Sequence, residues 1–307
     1  MGPSTPSNLV SDVAAVEWTA DRAAIDRALE TLCDGLTGAV DADVGNAVRY
    51  GVLGGGKRLR GLLFLAAYRT AGGTLDASAL AGAIEIVHAY SLVHDDLPCM
   101  DDDDMRRGRP TVHKMFGVRT ATAAGVAMVP LAARAAFDAS RALGLSPEVC
   151  GAVVVMLMRA SGAGGMIGGQ LLDLEGEGRA LGVLDLERIH RAKTGALISV
   201  SVTLGGTAAP AHGLQLEALS VFGDAIGLAF QIADDVLDVT ATSDRLGKTA
   251  GRDVDLRKGT YPALLGVDGA TARANALVAE GCAALRSAGL LSTELDVLAR
   301  FVVERES

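Results

Sequence analysis

The chain has 307 residues, half of them hydrophobic, and carries a formal net charge of −9 at pH 7. This length and composition are enough to bury one large core or two modest ones, whereas the negative charge excludes a protein that binds nucleic acid over a broad basic surface. Aromatic residues make up only 4% of the chain, and its many Ala and Leu residues favour helices over strands.

The four cysteines and the N-terminal residues indicate the cellular compartment in which the protein is expected. The cysteines are scattered and form no C-x-x-C pair: Cys33, Cys99, Cys150 and Cys282. Disulfides and structural zinc are therefore not predicted, and a reducing cytoplasm is expected. Residues 1–9 lack the basic and apolar regions of a signal peptide, and residues 1–17 are predicted to be a flexible N-terminal segment.

The first half of the chain contains several helix signals. Apolar residues with helical spacing predict a first helix around residues 25–36. Asp41 is predicted to cap a second helix that reaches Val52, and Gly72 and Gly73 end a third. A long helix from about residue 76 enters an acidic run and is interrupted at Pro98.

Similar signals continue to the C-terminus. Residues 120–143 form a helix that Gly144 ends, and Ser146 caps the next one. The stretch 120–137 is the most apolar, but it contains Pro130 and Arg134 and is interpreted as a buried core helix, not a membrane span. The remaining helices are predicted at residues 169–174, 185–204, 214–239, 271–287 and 293–304.

No linker, internal repeat or convincing strand interrupts this pattern of helices. The sequence therefore predicts a single all-α domain that spans residues 1–307.

The second of two acidic motifs fits one face of a helix. Asp234 and Asp238 are four residues apart and thus lie one turn above each other. Gln231 joins Asp235 and Asp238 on neighbouring turns, and the flanking residues are apolar. Because stacked carboxylates repel one another, they need a cation, and oxygen ligands suit Mg²⁺ that also binds substrate phosphates.

The first acidic motif, at residues 94–104, does not fit a regular helix. Asp95 and Asp101 are six residues apart, and Pro98 prevents an undisturbed helix between them. A kink is predicted to bring Asp101 back beside Asp95, with His88 and Ser91 on the same face as Asp95. The alternative for residues 101–104 is an ordinary solvated acidic surface.

Basic residues complete the candidate site. Three glycines at residues 54–56 precede Lys57, Arg58 and Arg60 and suggest a diphosphate-binding segment. A nucleotide-binding phosphate loop is rejected because Arg58 occupies the position that requires Ser or Thr, and because residues 46–52 resemble a helix. Further candidate phosphate partners follow along the chain: Arg106, Arg107, Lys193, Lys248 and Lys258.

Together these motifs resemble the trans-isoprenyl diphosphate synthases, most closely the bacterial farnesyl diphosphate synthases and related geranylgeranyl enzymes. The matching stretches are residues 54–60, 88–117, 168–178, 189–198 and 230–266. The resemblance implies an all-α fold around a deep cavity (the isoprenoid synthase fold), usually as a homodimer. It also implies three Mg²⁺ ions held between the aspartate motifs and an allylic diphosphate.

The resemblance further implies a role for each matching residue. The direct metal ligands would be Asp95, Asp101 and Asp234, supported by Asp96, Asp235 and Asp238. Isopentenyl diphosphate would be bound by Lys57, Arg60, His88 and Arg107. The allylic diphosphate would be held by Arg106, Lys193 and Lys248, with Thr194, Gln231 and Lys258 lining or closing the site. The residues central to catalysis would be Asp95, Asp101, Asp234, Lys193 and Arg106.

The length of the product is expected to depend on the floor of the cavity. Tyr90 lies five residues before Asp95, about 7.5 Å along a helix, so its ring can block the growing chain, and Ser91 beside it is small. In the family that the chain resembles, this pair, together with a first acidic motif that is two residues longer, accompanies a fifteen-carbon product, farnesyl diphosphate. Two alternatives stay open: Tyr90 only packs in the core, or the product is geranylgeranyl diphosphate.

Two positions depart from the family pattern. Val126 follows Gly125 where the family has Asp, and Gly61 replaces a Pro. Val126 removes a polar side chain from a helix near the cavity, and the expected consequences are altered hydrogen bonding there, lower activity or a different product.

Two rival functions differ in their acidic motifs. A terpene cyclase would carry a different second metal motif. A non-catalytic regulatory subunit would typically lack one aspartate motif, whereas this chain has both.

Overall fold

The structure is a computed structural model that describes residues 6–36, 38–240 and 259–305, with side chains from Trp18 onward. The α-helices are α1 (Pro6–Asp34), α2 (Ala42–Val52), α3 (Leu59–Thr70), α4 (Ser78–Asp95), α5 (Val112–Phe116), α6 (Val118–Ala142), α7 (Pro147–Ser161), α8 (Met166–Gly176), α9 (Val183–His190), α10 (Ala196–Ala208), α11 (Gly213–Thr240), α12 (Tyr261–Ser287) and α13 (Thr293–Glu304). The predicted all-α class is confirmed. Residues 1–5 of the predicted flexible segment lie outside the described residues.

Two predicted N-caps are present. The Asp41 carboxylate accepts a hydrogen bond from the N–H of Asp43 at 3.0 Å, at the start of α2. The Ser146 hydroxyl accepts one from the N–H of Val149 at 3.4 Å, at the start of α7. These short-range interactions are readable from sequence because each involves residues only two or three positions apart.

The prediction that no strand is present is wrong at one place. β1 (Met105–Arg106) pairs antiparallel with β2 (Arg109–Pro110). Arg107 and Gly108 form the turn, with positive φ angles of 53° and 72°, as a two-residue hairpin turn with two left-handed residues requires. Strands of two residues are too short to produce an alternating pattern of polar and apolar residues, so sequence periodicity does not predict them.

The helix predicted at residues 185–204 is interrupted. It consists of α9, then a π-helical segment at Arg191–Gly195, and then α10. The helix predicted to begin at residue 271 begins earlier, at Tyr261, and is kinked at Gly266, whose φ angle is 73°. Both errors have one cause, because periodicity of apolar residues does not reveal a local change of helical pitch or a kink.

The helices pack around one central cavity. α11 contacts α10 and α12, α10 contacts α3 and α7, and α4 lies between α1 and α6. Large side chains such as Phe64, Phe222 and Tyr261 are fully buried among them. This packing fixes the orientation of α4 and α11, the two helices that carry the acidic motifs.

Three stretches are apolar and long enough to span a membrane by length and composition: Val118–Ala142, Pro147–Gly176 and Gly213–Thr240. Only 39% of the most apolar window of α6 is buried, so the prediction that this helix is a buried core helix is wrong for its outer face. Its inner face packs Ala124 and Met128 into the core, whereas Val126 and Phe137 are exposed. Hydrophobicity alone does not distinguish a face covered by the core from one left exposed.

Candidate active site

The central cavity has a volume of about 420 Å³ and is lined by α3, α4, α8, the π-helical segment and α11. Both acidic motifs reach its wall, through Asp95, Asp101, Asp234, Asp235 and Asp238. Most of the other predicted site residues lie there as well: Arg60, His88, Tyr90, Ser91, Arg106, Arg107, Lys193, Thr194 and Gln231. The tertiary structure therefore brings together residues that are far apart in sequence.

The predicted reversal in the first motif is present. α4 ends at Asp95, and the N–H of Asp101 donates a hydrogen bond to the backbone carbonyl of Asp95 at 2.8 Å. A second bond, from the N–H of Asp102 to the carbonyl of Leu97 at 3.1 Å, closes the same turn. The break in the helix next to Pro98 thus returns the chain to Asp95, and both carboxylates line the cavity.

Asp96 occupies a different place from the other predicted metal-site aspartates. It is buried behind the cavity wall, and its Oδ1 accepts hydrogen bonds from Arg106 Nε at 3.0 Å and Nη2 at 2.5 Å. The same Nη2 atom donates to Asp103 Oδ2 at 2.8 Å. Burial raises the pKa of Asp96, and the charge of Arg106 opposes this effect. Asp96 therefore holds the Arg106 guanidinium, which itself lines the cavity.

In the second motif, Asp235 belongs to a hydrogen-bonded network. Thr194 Oγ1 donates to Gln231 Oε1 at 2.7 Å, and Gln231 Nε2 donates to Asp235 Oδ1 at 3.1 Å. The other oxygen, Asp235 Oδ2, accepts the N–H of Tyr261 at 3.0 Å. Both oxygens of Asp235 thus fasten α11 to the π-helical segment and to the first residue of α12.

The residues at the wall fit a hard divalent cation. Both carboxylate oxygens of Asp238 are buried without a hydrogen-bond partner among the described residues, and such burial of a charged group is costly unless a cation compensates it. Asp95, Asp101 and Asp234 supply further carboxylates on the same wall. This all-oxygen donor set suits Mg²⁺ better than a soft metal ion.

Three of the four residues predicted to bind isopentenyl diphosphate converge. Burial lowers the pKa of Arg60 to about 10 while Glu85 opposes the shift, so Arg60 is charged at neutral pH. Burial, and then the charges of Arg60 and Arg107, lower the pKa of His88 well below its usual value. Arg107 Nη2 lies 3.4 Å from His88 Nε2. The fourth residue, Lys57, is not at the wall; its ammonium lies 5.3 Å from the centre of the Phe301 ring.

The two departures from the family pattern have different surroundings. The N–H of Gly61 donates a hydrogen bond to the buried Glu85 Oε1 at 2.9 Å, an interaction that the usual Pro lacks. Val126 is 69% exposed on α6 and is absent from the cavity wall. The expectation that Val126 alters hydrogen bonding near the cavity is therefore wrong. Its neighbour Gly125 is the residue that faces Tyr90.

The π-helical segment presents Lys193 and Thr194 to the cavity. Lys193 Nζ donates to Asp173 Oδ2 of α8 at 2.6 Å, and single π-helical turns are common at functional sites. Gly169 of α8 packs directly against this segment, because a Cβ atom there would lie 2.1 Å from the backbone nitrogen of Lys193. The absence of a side chain at Gly169 thus allows α8 to approach Lys193.

Replacing Gly169 with Ala is expected to displace the π-helical segment. The new methyl group meets backbone atoms, which cannot rotate away, so the free energy of unfolding should fall by about 1–3 kcal/mol and activity should fall with it. Denaturant unfolding and steady-state kinetics measure the two effects. Gly164→Ala is the matched control because a Cβ there has no atom within 4 Å. Equal behaviour of the two variants would contradict the role given to Gly169.

Several residues at the cavity wall were not singled out from the sequence. Gln170, Asp173 and His190 line the cavity, although all three lie in stretches that carry the family resemblance. Both polar side-chain atoms of Gln170 are buried without a partner among the described residues. The remaining predicted residues, Lys248 and Lys258, lie outside the part of the chain that the structure describes.

Arg305, the residue after α13, also contacts the candidate site, although no sequence motif predicted it as a site residue. Its Nη2 atom donates to Asp234 Oδ1 at 2.6 Å and to the carbonyl of Phe230 at 3.1 Å. The guanidinium also lies 3.7 Å from the centre of the Phe230 ring. Burial lowers the pKa of Arg305, and Asp234 opposes this shift. A cation from the end of the chain thus contacts a carboxylate of the second acidic motif.

The protein combines an all-α fold with two aspartate motifs and several cationic side chains on one cavity wall. This arrangement is typical of metal-dependent enzymes that act on phosphorylated substrates. A polyprenyl synthetase family model matches residues 42–284. The chain therefore belongs to the polyprenyl synthetase family.

Two curated relatives and one solved structure are similar to most of this chain. The chain is 45% identical to farnesyl diphosphate synthase of Escherichia coli, over 84% of this chain and 88% of the relative. It is 46% identical to a chloroplastic geranylgeranyl pyrophosphate synthase of Catharanthus roseus, over 72% of this chain and 62% of the relative. Among solved structures, geranyltransferase from Helicobacter pylori, complexed with magnesium and isoprenyl diphosphate, is similar with a TM-score of 0.77 and 29% identity, over 99% of this chain and 98% of that one.

Proposed function

We propose that this protein is a short-chain trans-prenyl diphosphate synthase that condenses isopentenyl diphosphate with an allylic diphosphate, with farnesyl diphosphate as its main product. The observation that carries the proposal is that the wall of the central cavity combines the two aspartate motifs with Arg60, Arg106, Arg107 and Lys193. Two diphosphates require separate cationic contacts, and the wall offers both a metal-binding region and guanidinium groups.

The metal-binding region suits Mg²⁺, with three ions expected when substrate is bound. Asp95, Asp101 and Asp234 are proposed as direct ligands, and the unpartnered oxygens of Asp238 add further donors. Asp235 supports them through its network, and Asp96 supports them by holding Arg106. When bound, Mg²⁺ stabilises the negative charge that develops on a departing diphosphate.

The reaction needs no side-chain nucleophile. The carbon–oxygen bond of the allylic diphosphate breaks, the double bond of isopentenyl diphosphate attacks the resulting cation, and a proton then leaves to the released diphosphate. Arg106 and Lys193, which line the cavity, are proposed to stabilise that diphosphate, with Thr194, Gln231, Lys248 and Lys258 as further proposed contributors. Arg60, His88 and Arg107 hold the second diphosphate, and Lys57 is proposed to approach it. The neutral His88 contributes a hydrogen bond rather than a charge.

Geranylgeranyl diphosphate is the alternative product, favoured by the 46% identity to the chloroplastic synthase. Chromatography of products separates the two functions after incubation with isopentenyl diphosphate, Mg²⁺ and, in turn, dimethylallyl, geranyl or farnesyl diphosphate. Synthesis that stops at fifteen carbons supports the proposal, and twenty carbons supports the alternative. No product from any allylic primer would contradict both and favour a regulatory subunit.

Replacing Arg305 with Ala is expected to strengthen metal binding in the absence of substrate. The guanidinium contacts Asp234 Oδ1 and competes with a metal ion for that oxygen. Because Asp234 is 45% exposed, the competition is partly screened, and the expected gain in affinity is roughly three- to tenfold. Titration with Mn²⁺ followed by electron paramagnetic resonance measures it. Arg305→Lys keeps the charge and should resemble the native protein, whereas unchanged affinity in Arg305→Ala would refute the competition.

A homodimer is proposed because the neighbouring helices α6 and α7 both expose apolar side chains. Val118, Val126 and Phe137 of α6 and Val155 of α7 are exposed on adjacent helices, and such faces typically mark interfaces between proteins. Arg134 and Asp138 form an ion pair 3.4 Å long at exposed positions of α6, which favours a protein partner over lipid.

Sedimentation analysis tests the dimer. Val126→Arg should shift the protein toward the monomer, whereas Leu184→Arg, at an exposed position of α9, should not. A native protein that sediments as a monomer would contradict the proposal.

We further propose that residues 1–307 form one polyprenyl synthetase domain. We also propose that the protein is located in the cytoplasm, because all four cysteines are free thiols, as expected in a reducing compartment.

A further inference from the structure

The run of four aspartates after Pro98 divides between two sides of the chain. Asp101 and Asp103 line the central cavity, whereas Asp102 and Asp104 are absent from its wall. These two exposed aspartates lie beside His113 of α5. One ligand atom from each of the three residues lies within 4.8 Å of the others.

His113 provides an independent indication of a ligand. Its side chain is only 3% exposed, and its Nε2 atom lies 3.9 Å from Asp102 Oδ1 without a hydrogen-bond partner among the described residues. The other ring nitrogen, Nδ1, lies 3.1 Å from the hydroxyl oxygen of Thr111. When Nδ1 carries the proton and donates a hydrogen bond to the Thr111 hydroxyl oxygen, Nε2 is unprotonated. Its lone pair then faces the two aspartates, as in histidines that bind metals.

We propose that Asp102, Asp104 and His113 bind a divalent transition-metal ion of the Zn²⁺ type, at a site separate from the aspartates of the central cavity. An imidazole nitrogen with two carboxylates suits Zn²⁺ or Co²⁺, whereas Mg²⁺ prefers oxygen ligands alone. The bound ion would fasten residues 102–104 to α5 and thus both ends of the hairpin that carries Arg106 and Arg107.

Lys114 is the competitor for this site. Its Nζ atom lies 2.6 Å from Asp104 Oδ1, so a metal ion must displace the ammonium group or share the carboxylate with it. Removal of this charge should therefore tighten binding. The opposite responses expected for Lys114 and for the three ligands distinguish a specific site from general attraction of cations to an acidic surface.

The experiment is calorimetric titration of the full chain with Zn²⁺ in excess Mg²⁺, repeated with Co²⁺ to record its visible absorption. One tight Zn²⁺ site is expected, with affinity reduced at least about tenfold in His113→Gln and in Asp102→Asn and increased in Lys114→Gln. Asp102→Asn tests the site even if loss of the buried imidazole impairs folding, because Asp102 is exposed.

Three controls identify the source of any binding. Asp234→Asn should leave the Zn²⁺ site intact, since it changes only the central cavity. Cys99→Ser tests capture by the exposed thiol in the same turn, and His212→Gln tests an exposed histidine elsewhere. Absence of Zn²⁺ binding, native affinity in Asp102→Asn, or loss of binding only in Cys99→Ser would each overturn the proposed site.

Discussion

Replacing Asp234 with Asn is expected to lower kcat at least about 100-fold while the fold is retained. The change preserves the shape of the side chain but removes the negative charge proposed to bind the metal ion. Stabilisation of a departing diphosphate by metal ions contributes several kcal/mol, and each 1.36 kcal/mol corresponds to a factor of ten in rate. Asp95→Asn, on the other acidic motif, should show a loss of similar size. Steady-state kinetics at several Mg²⁺ concentrations measure both variants.

The matched control for Asp234 lies on the same helix. Asp224 is an exposed residue of α11, so Asp224→Asn makes the same chemical change away from the cavity and should leave kcat unchanged. Circular dichroism and thermal unfolding establish that each variant is folded. Near-native turnover of folded Asp95→Asn and Asp234→Asn would contradict the assignment of the metal site.

Replacing Tyr90 with Ala is expected to lengthen the product by at least one five-carbon unit. The Tyr90 side chain lines the cavity, and its ring centre lies 5.7 Å from that of His94. A Cβ atom at Gly125 of α6 would lie 3.6 Å from the ring, so α6 limits the movement of the ring. Removal of the ring opens space toward α6 for the growing chain, and chromatography of the products measures its length.

Tyr90→Phe is the control for this prediction. It keeps the ring and removes only the hydroxyl group, so the length of the product should not change. If the hydroxyl rather than the ring limits chain growth, both variants will give the longer product. A native product from Tyr90→Ala would show that Tyr90 only packs in the core and that another residue forms the floor.

The second acidic motif illustrates what local sequence can predict. Asp234 and Asp238 belong to one helix, and the helical repeat alone places them on one face. The reversal after Asp95 was also predictable, because Pro98 interrupts a helix within a few residues of the next aspartate. In both cases, the geometry depends on interactions between residues close in the chain.

The division of the aspartates into different environments was not predictable. Asp96 and Asp101 have the same chemistry and nearby positions, yet one is buried against Arg106 and the other lines the cavity. Similarly, Asp235 is held by Gln231 and the N–H of Tyr261, whereas the oxygens of Asp238 lack such partners among the described residues. These differences depend on how helices that are distant in the chain pack against one another. The spacing of apolar residues in the sequence carries no information about that packing.

The all-α class, most helix positions, the family resemblance and the set of candidate ligands could all be predicted from the sequence, because these follow from local propensity and short motifs. Only the packing of the folded chain shows that Lys57 and Asp96 lie off the cavity wall, that Val126 faces outward, and that Arg305 contacts Asp234. Burial and ion pairing arise from contacts between segments far apart in the chain, and no local sequence pattern records which of these residues meet.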